Sequence, residues 1–359
     1  MLYHIIYPLA KTFGFINVFG YITFRSVLAF LITFLLCVLV FPFFIKKMVQ
    51  FKVNQLVIKE GPQSHQIKVG TPTMGGFLVI IGMVTSLLIC GNFNNFYVLI
   101  ILFATISFGV VGFFDDYLKI TRKSSDGLHA KFKLFSQIFL ATAISTAIYL
   151  IMGNDVAYIS VPFFKNLKIY LSYFYIPFGV FWIVGFSNAV NLTDGLDGLA
   201  GGLLVPVVLT MGLFCYVIGH KEFAQYLYLE YIPMSAELLV YSFAFIGGLC
   251  AFLWYNSHPA QIFMGDTGSL SFGGIIGTMA LMIKQELLLL IVGGVFVAET
   301  LSVIIQVTSY KLRKKRIFLM SPLHHHFELK GWKESKIITR FWIIGGILAV
   351  IALGTLKLR

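Results

Sequence analysis

The sequence predicts an all-α, polytopic integral membrane protein with about ten transmembrane helices, and three observations support this fold class. Hydrophobic residues make up 58% of the 359 residues and charged residues only 12%, whereas soluble proteins carry about 25% charged residues. The mean hydropathy is +0.88. Apolar runs of about 20 residues, the length of a membrane-spanning helix, recur along almost the whole chain. Because they leave no stretch for a separate soluble module, we expect residues 1–359 to form a single domain.

The apolar windows predict the spans in chain order. Their approximate limits are 22–44, 73–91, 97–117, 132–152, 172–190, 198–218, 236–255, 267–284, 286–309 and 338–356. Residues 1–21 mix apolar and polar side chains and lack the cleavage pattern of a signal peptide, which favours a helix at the membrane interface.

The distribution of basic residues predicts the orientation. The loops after the first, third, fifth, seventh and ninth spans, together with the ends of the spans that flank them, hold 19 of the 27 Lys and Arg residues. By the positive-inside rule these loops are cytoplasmic and both termini lie outside. The net charge of +12 is mostly this topological signal.

Five polar clusters interrupt the apolar chain, and the predicted topology brings all of them to the cytoplasmic face. They are Thr71–Gly76, Asp115-Asp116, Asn191–Gly198, Phe263–Gly268 and His324–His326. Distant segments of a helical bundle build a common site only where they share a depth. The sequence therefore predicts a membrane enzyme with its active site at the cytoplasmic face.

Asp115 and Asp116 end the third span, where the helix dipole and mutual repulsion disfavour two acids. The plain alternative is a pair of solvated carboxylates that marks a helix end. Neighbouring helical side chains point about 100° apart. We therefore expect the two acids to play different parts, with a metal ion or a cationic side chain nearby.

Asp194 and Asp197 are spaced three residues apart, on one face of the first turn of the sixth span. Capping of the helix N-terminus alone would account for one of them. Asn188 and Asn191 are harder to attribute to packing, because side-chain amides near a bilayer are costly without partners. This group favours a polar binding site over simple helix caps.

Gly265 and Gly268 flank Asp266 just before an apolar helix. Glycine permits close backbone approach, a helix N-terminus offers unpaired N–H groups to phosphate, and an Asp there can ligate the Mg²⁺ that such phosphates carry. The alternative is an Asp cap in a tight turn. Phe263 is either a stacking platform for a nucleobase or an interfacial aromatic residue, and the sequence leaves both open.

His324, His325 and His326 follow the basic run Lys311–Arg316, which is suited to anionic lipid headgroups. Three consecutive histidines cannot all reach one metal from a regular helix, so anion binding or proton transfer is favoured over a zinc site. Glu299 is an intramembrane acid with either a functional or a hydrogen-bonded structural role. Together the clusters predict a Mg²⁺-dependent phosphoryl transfer at the cytoplasmic face, with one substrate arriving from the bilayer.

These motifs resemble those of the bacterial phospho-N-acetylmuramoyl-pentapeptide transferases, in order and over essentially the whole chain. The matching segments are Thr71–Gly76, Asp115–Tyr117, Asn188–Gly198, Asn256-Ser257 with Pro259–Gly268, and Pro322–His326. The resemblance implies transfer of phospho-MurNAc-pentapeptide from UDP-MurNAc-pentapeptide to undecaprenyl phosphate, which gives lipid I and UMP in the first membrane step of peptidoglycan synthesis. It also implies Mg²⁺ as cofactor and a multi-pass protein of the bacterial inner membrane with a cytoplasmic active site.

The resemblance further implies individual roles. Asp266 is the Mg²⁺ ligand with Asn191 as a second one, Asp115 is the base that deprotonates or orients the lipid phosphate, and Asp116 positions the metal and the diphosphate. The implied substrate contacts are Lys68, Lys119 and Lys133 (or Lys131 in place of Lys133) for the phosphates, Asp194, Asp197 and Phe263 for the nucleoside, and His324, His325 and His326 as a lid over the sugar and peptide, with Thr73, Asn188 and Asn256 completing the set. Direct transfer and an aspartyl-phosphate intermediate are both open.

The family resemblance and two sequence features together predict a lipid-facing groove beside the ninth span. Glu299 needs a partner, and the Gly293-Gly294 pair weakens the helix, so we expect this span to loosen or bend. A polyprenyl chain needs an open apolar track, and we expect the groove to end near Asp115.

Two alternatives stay open. A sister transferase would use UDP-N-acetylglucosamine, but such enzymes resemble a different histidine pattern from that of His324–His326. A transporter would also carry intramembrane acids, yet transporters commonly show duplicated halves and midplane sites, and no repeat is visible. No nucleic acid is expected as a partner, and a homodimer is compatible with the sequence.

Overall fold

The computed structural model describes residues 2–8, 12–50, 70–122, 127–153, 157–161 and 167–357. Lys68 lies outside these residues. The α-helices of the described part are α1 (Leu2–Ile6), α2 (Ile22–Gln50), α3 (Gly75–Cys90), α4 (Phe96–Arg122), α5 (Ala130–Met152), α6 (Tyr175–Thr193), α7 (Leu199–Ile218), α8 (Lys221–Tyr226), α9 (Leu238–Asn256), α10 (Gly265–Met282), α11 (Glu286–Val292), α12 (Gly294–Arg313), α13 (Leu323–Leu329) and α14 (Glu334–Gly354). One antiparallel hairpin, β1 (Tyr158–Ser160) with β2 (Lys168–Tyr170), pairs Ile159 with Ile169.

Each of the ten predicted intervals contains a helix, which confirms the all-α fold class. Within the described residues, eight helical segments are long and apolar enough to cross a membrane. Of the other two intervals, one holds α3, with 16 residues, and the other α10, with 18. The chain is therefore a multi-pass membrane protein, while the total of ten crossings and the sidedness stay predictions.

Some helices continue beyond the apolar windows at their C-terminal ends. α2 runs to Gln50 and carries Lys47 in its last turn, and α4 runs to Arg122 with Lys119 and Arg122 in its last turn. Basic side chains interact favourably with the carbonyl end of a helix. The helices therefore extend beyond their hydrophobic segments, and the extension of α4 places Lys119 near the polar clusters.

The ninth predicted span is interrupted at Gly293, which separates α11 from α12. The predicted loosening at the Gly293-Gly294 pair is confirmed, and its physical reason is the low helix propensity of glycine. α12 is mostly exposed, and its buried residues are Val295, Phe296, Glu299 and Ser302. The lipid groove beside it stays a prediction.

α10 is the central helix of the bundle. Every residue from Thr267 to Met282 is buried, and the helix packs against α3, α4, α5, α6 and α7. Its N-terminus is therefore approached from several sides by the ends of the surrounding helices. This arrangement lets residues that are far apart in sequence meet at Asp266.

At the opposite end of the bundle, Arg25 of α2 forms a buried ion pair with Glu237, just before α9. Its two terminal nitrogens lie 2.8 and 2.7 Å from the two carboxylate oxygens of Glu237, and Nη1 also donates to the carbonyl oxygen of Cys90 at 3.0 Å. Arg25 is 1% exposed. The pair therefore joins the start of α2, the end of α3 and the start of α9.

Candidate active site

Asp116 caps the N-terminus of α10 from another helix. Its Oδ1 accepts the Asp266 N–H at 3.0 Å, and its Oδ2 accepts the Thr267 N–H at 2.9 Å and the Thr267 hydroxyl at 2.7 Å. The first N–H groups of a helix have no partner within it, so a buried carboxylate is well placed there. Gly265 precedes Asp266 with a φ of 75°, a left-handed conformation that glycine adopts without strain. Asp116 thus fixes the peptide that carries Asp266.

Asp115 faces a different set of partners. Its Oδ1 accepts the Leu128 N–H at 2.9 Å, and its Oδ2 lies 2.6 Å from Lys119 Nζ and 3.8 Å from Lys133 Nζ. The two adjacent acids have different partners, and that they play different parts in the reaction stays a prediction. Asp115 belongs to a charged cluster, whereas Asp116 supports the backbone.

Asp266 joins the segments into one charged cluster. Its Oδ2 accepts Lys119 Nζ at 2.9 Å and Lys133 Nζ at 2.6 Å, and its Oδ1 accepts Asn191 Nδ2 at 2.8 Å. Lys131, the sequence alternative to Lys133, is exposed. The geometry therefore brings Lys133, rather than Lys131, to the carboxylates.

The carboxylates of Asp115, Asp116 and Asp266 fit a divalent cation. One oxygen from each lies within 4.8 Å of the others, and Mg²⁺ prefers one or two carboxylates together with substrate phosphates. Three acids also exceed the two lysines that face them by one negative charge. Both oxygens of Asp116 hold the start of α10, whereas Asp266 and one oxygen of Asp115 face lysine side chains that can move, so Asp115 and Asp266 are the better placed ligands.

Asn191 touches Asp266 through its amide nitrogen. Nδ2 donates to Asp266 Oδ1 and also to Ser269 Oγ, both at 2.8 Å. In this arrangement Asn191 orients the Asp266 carboxylate. Asn188, one turn earlier, donates to Gln137 Oε1 at 3.0 Å and to the Val184 carbonyl at 2.8 Å, so its side chain links α6 to α5.

The first polar cluster forms a wall beside the start of α10. The Phe263 N–H donates to the Pro72 carbonyl at 2.8 Å, and the Gly75 N–H donates back to the Phe263 carbonyl at 2.8 Å. Thr73 lies in this wall and is 9% exposed. The segments Thr71–Gly76 and Phe263–Gly268 are therefore one structural unit.

The turn of residues 194–198 connects α6 to α7 and carries Asp194 and Asp197. The prediction that both acids lie in the first turn of the sixth span is wrong, because α7 begins only at Leu199. Asp197 is 3% exposed, and its Oδ2 accepts hydrogen bonds from His258 Nδ1 and the Ala260 N–H, each at 3.1 Å. Asp194 is the C-cap residue of α6. The turn therefore presents its acids between α6, α7 and the segment that follows α9.

Asn256 connects this turn to the wall. Its Oδ1 accepts the Gly198 N–H at 2.9 Å, and its Nδ2 donates to the Ile262 carbonyl at 2.7 Å. The residue is 3% exposed, and both ends of its amide bond the backbone. In this structure Asn256 holds together the two segments that carry Asp197 and Phe263.

The buried His324 contacts both α12 and the turn of residues 194–198. Its backbone N–H donates to Glu299 Oε1 at 3.2 Å, and its ring Nδ1 lies 3.3 Å from Glu299 Oε2. A side-chain carbon at Gly195 would lie 2.3 Å from His324 Nε2, so only glycine allows this approach. Glu299 thus has the partner that an intramembrane acid requires.

The other two histidines of α13 point elsewhere. His325 Nδ1 lies 2.7 Å from Glu328 Oε2, and His326 Nδ1 accepts the Leu319 N–H at 3.1 Å. Burial and then the Lys330 ammonium lower the pKa of His326 below its usual value, which suits a neutral ring that accepts a hydrogen bond. The three rings have separate partners, as expected if they do not form one zinc site.

Four residues near the site were not identified from the sequence: Gln137, His258, Ser269 and Glu334. Gln137 could have been identified from the sequence, because it follows Lys133 by four residues and so lies on the same helix face within an apolar run. The other three have ordinary surface or helix-start character in the sequence. Their contacts depend on the tertiary fold.

The profile of glycosyl transferase family 4 matches residues 98–284. Full-length relatives are also similar to this chain, and each comparison covers 100% of both proteins. Phospho-N-acetylmuramoyl-pentapeptide-transferases from Thermodesulfovibrio yellowstonii and Desulfosudis oleivorans are 49% and 50% identical to it. The same-named protein of Citrifermentans bemidjiense is 48% identical.

The chain belongs to the phospho-N-acetylmuramoyl-pentapeptide transferase family. It is accordingly a phosphoglycosyl transferase, and the transporter alternative is excluded. Family membership agrees with the convergence of acids, lysines and amides around Asp266.

Proposed function

We propose that this protein transfers phospho-MurNAc-pentapeptide from UDP-MurNAc-pentapeptide to undecaprenyl phosphate, with lipid I and UMP as products. The observation that carries the proposal is the single cluster of Asp115, Asp116 and Asp266 with Lys119 and Lys133 at the start of the central helix. A diphosphate and a lipid phosphate bring several negative charges together. Catalysis of phosphoryl transfer consists largely of positioning and charge compensation.

The reaction exchanges one phosphorus–oxygen bond for another. An oxygen of the lipid phosphate bonds to the sugar-linked phosphorus of the UDP substrate, and the bond from that phosphorus to the UMP oxygen breaks. Lys119 and Lys133, whose ammonium groups converge on Asp266 Oδ2, compensate the phosphate charge. In direct transfer Asp115, in contact with the same lysines, orients the lipid phosphate or accepts its proton. In the two-step alternative an aspartate oxygen first bonds to that phosphorus as UMP leaves, and the lipid phosphate oxygen then displaces the aspartate.

Asp266 and Asp115 would hold Mg²⁺, and Asn191 and Asp116 would keep Asp266 in place. When bound, Mg²⁺ supplies charge neutralisation for the diphosphate and the leaving UMP. Asp116 remains on the N–H groups of Asp266 and Thr267. Its role is to hold the metal ligand at a fixed position rather than to react.

The nucleoside lies against Phe263 and the turn with Asp194 and Asp197, while α13 closes over the sugar and peptide. His324 of α13 touches Gly195 in the turn of residues 194–198, so the proposed lid contacts the proposed nucleoside pocket. The Thr73 hydroxyl lies beside Gly265, 3.0 Å from where a side-chain carbon of that residue would be, and Thr73 is proposed as a substrate contact from the motif match. Lys68 is proposed as a further phosphate contact from the motif match.

The sidedness follows from the basic loops. We place the site at the cytoplasmic face of the bacterial inner membrane, because the loops that carry the clusters hold most Lys and Arg residues. UDP-linked sugars are soluble molecules and reach the site from the cytoplasm. Undecaprenyl phosphate enters from the bilayer along the groove beside α12.

The test is an assay of the purified protein with undecaprenyl phosphate, Mg²⁺, and either UDP-MurNAc-pentapeptide or UDP-N-acetylglucosamine. We expect UMP release and a lipid-linked product with the muramoyl substrate, and neither after removal of divalent cations by a chelator. Restoration by Mg²⁺ is the control for damage by the chelator. Transfer from UDP-N-acetylglucosamine alone would assign the chain to the sister activity.

A further inference from the structure

The peptide that carries Asp197 is held by the last helix of the chain. The Asp197 N–H donates to Glu334 Oε1 at 2.9 Å, and Glu334 is the first residue of α14. The His258 ring, which bonds the Asp197 carboxylate, lies 3.8 Å from the second oxygen of Glu334. α14 lies outside residues 98–284, the part of the chain that the family profile matches.

Stabilisation of its own helix commonly explains an acid at a helix start, but it does not account for all the contacts of Glu334. Such an acid stabilises its own helix through the helix dipole, and it needs no partner in another element. The side chain of Glu334 is only 8% exposed, and it accepts an N–H from a residue 137 positions away. A hydrogen bond to a charged acceptor is among the stronger ones in proteins. Glu334 therefore acts on the turn of residues 194–198 as well as on α14.

α14 grips this turn at a second point. Trp342 Nε1 donates to the Gly198 carbonyl at 3.3 Å, about two helical turns beyond Glu334. The Gly198 N–H is bonded to Asn256, which in turn bonds the Ile262 carbonyl next to Phe263. Asp197 and Phe263 of the proposed nucleoside pocket thus belong to one hydrogen-bonded unit, and α14 packs against it.

We propose that Glu334 is a positioning residue for uridine nucleotide binding, an inference that rests on the proposed function. It fixes the peptide from which Asp197 is presented, and it thereby sets nucleotide affinity. Glu334 has no role in the chemical step, which takes place at the cluster around Asp266. Loss of its hydrogen bond weakens the binding of both UMP and the UDP-linked substrate while turnover of the bound substrate continues.

The experiment compares three substitutions at one position. Glu334→Gln keeps an oxygen that accepts the Asp197 N–H, whereas Glu334→Asp keeps the charge but shortens the reach, and Glu334→Ala removes both. We expect Ala and Asp to raise the Kd for UMP and the KM for the UDP substrate about tenfold, the contribution of a hydrogen bond to a charged group, with kcat within about twofold of wild type. We expect Gln to stay within about threefold of wild type in all three quantities.

The control is Glu222→Ala, which removes an exposed acid from the first turn of α8 and should change none of these values. Thermal unfolding of each variant separates loss of affinity from loss of fold. A role in the helix dipole alone predicts the reverse order, with Asp close to wild type and Gln impaired, and that order would overturn the proposal. So would an unchanged UMP affinity in a folded Glu334→Ala protein, or a fall in kcat with KM unchanged.

Two further outcomes are distinguishable. If the wild-type protein binds UMP but does not transfer from UDP-MurNAc-pentapeptide, the proposed function fails while the UMP measurements still test Glu334. Donor atoms of Asp197, His258 and Glu334 also lie within 4.8 Å of one another. Inhibition by added Zn²⁺ that vanishes in Glu334→Gln would replace the positioning role with a metal site.

Discussion

Two groups of buried charge lie at opposite ends of the helix bundle, and they differ in how their charges are matched. Arg25 and Glu237 form a one-to-one pair with two short contacts, and Arg25 also bonds the Cys90 carbonyl. At the other end, Asp115, Asp116 and Asp266 share the lysines 119 and 133. The first group is complete by itself, whereas the second keeps an excess of negative charge.

The difference separates a structural pair from a reactive site. Buried charges are retained at low cost only when they are paired and hydrogen-bonded. The pair of Arg25 and Glu237 meets that condition and ties three helices. The excess negative charge of the cluster around Asp266 is one that a divalent cation would neutralise, and its lysines are 34% and 19% exposed at the side chain, which leaves access for ligands.

The largest expected effect is the loss of transfer in Asp266→Asn. The substitution removes the charge that both lysines and the metal need, so we expect UMP release to fall by about 10³-fold. The fold should persist because Asn is close in volume to Asp and the backbone N–H of residue 266 still bonds Asp116. Rate measurements together with thermal unfolding check this, and near wild-type turnover in a folded variant would remove Asp266 from the metal site.

The second largest effect is a loss of stability when the pair of Arg25 and Glu237, at the other end of the bundle, is broken. Arg25→Met leaves Glu237 buried without its partner, and we expect the free energy of unfolding to fall by about 3–5 kcal/mol. The UMP release rate per folded molecule should stay unchanged. The double variant Arg25→Met/Glu237→Leu should regain most of the loss, as judged by unfolding in detergent. A catalytic defect at unchanged stability would break the comparison between the two ends.

The smallest effect distinguishes two lysines in α5. Lys133→Met removes an ammonium 2.6 Å from Asp266, and we expect the KM for the UDP substrate to rise about tenfold, in line with one lost charge-assisted hydrogen bond. Lys131→Met is the matched control, because this exposed lysine lies two residues earlier on the same helix. Equal effects of both substitutions on KM would mean that only the overall charge at the start of α5 matters.

Several features were predictable because they depend on local physics. Hydropathy located the helices, the 100° rotation between adjacent residues separated the parts of Asp115 and Asp116, and the glycine pair marked the break at Gly293. Asp266 followed from glycines at a helix start. These inferences need only the periodicity and the backbone preferences of the chain.

Other features depend on contacts between distant segments. The choice of Lys133 over Lys131 required the rotation of α5 about its axis, and the capping of α10 by Asp116 required the docking of α4. Glu334 looked like an ordinary acid at a helix start. The pairing of β1 with β2 was not predicted, since these strands are only three residues long.

The break at Gly293 has a mechanical consequence. Gln306 of α12 bonds the backbone of the returning segment at Ile317 and Phe318, and Glu299 of the same helix bonds His324. α12 and α13 are thus held together, and α12, which packs against α6 and α14, is exposed along most of its length. Because a membrane-crossing helix adapts its tilt to the bilayer thickness, we expect a change of lipid chain length to alter the contact between Glu299 and His324.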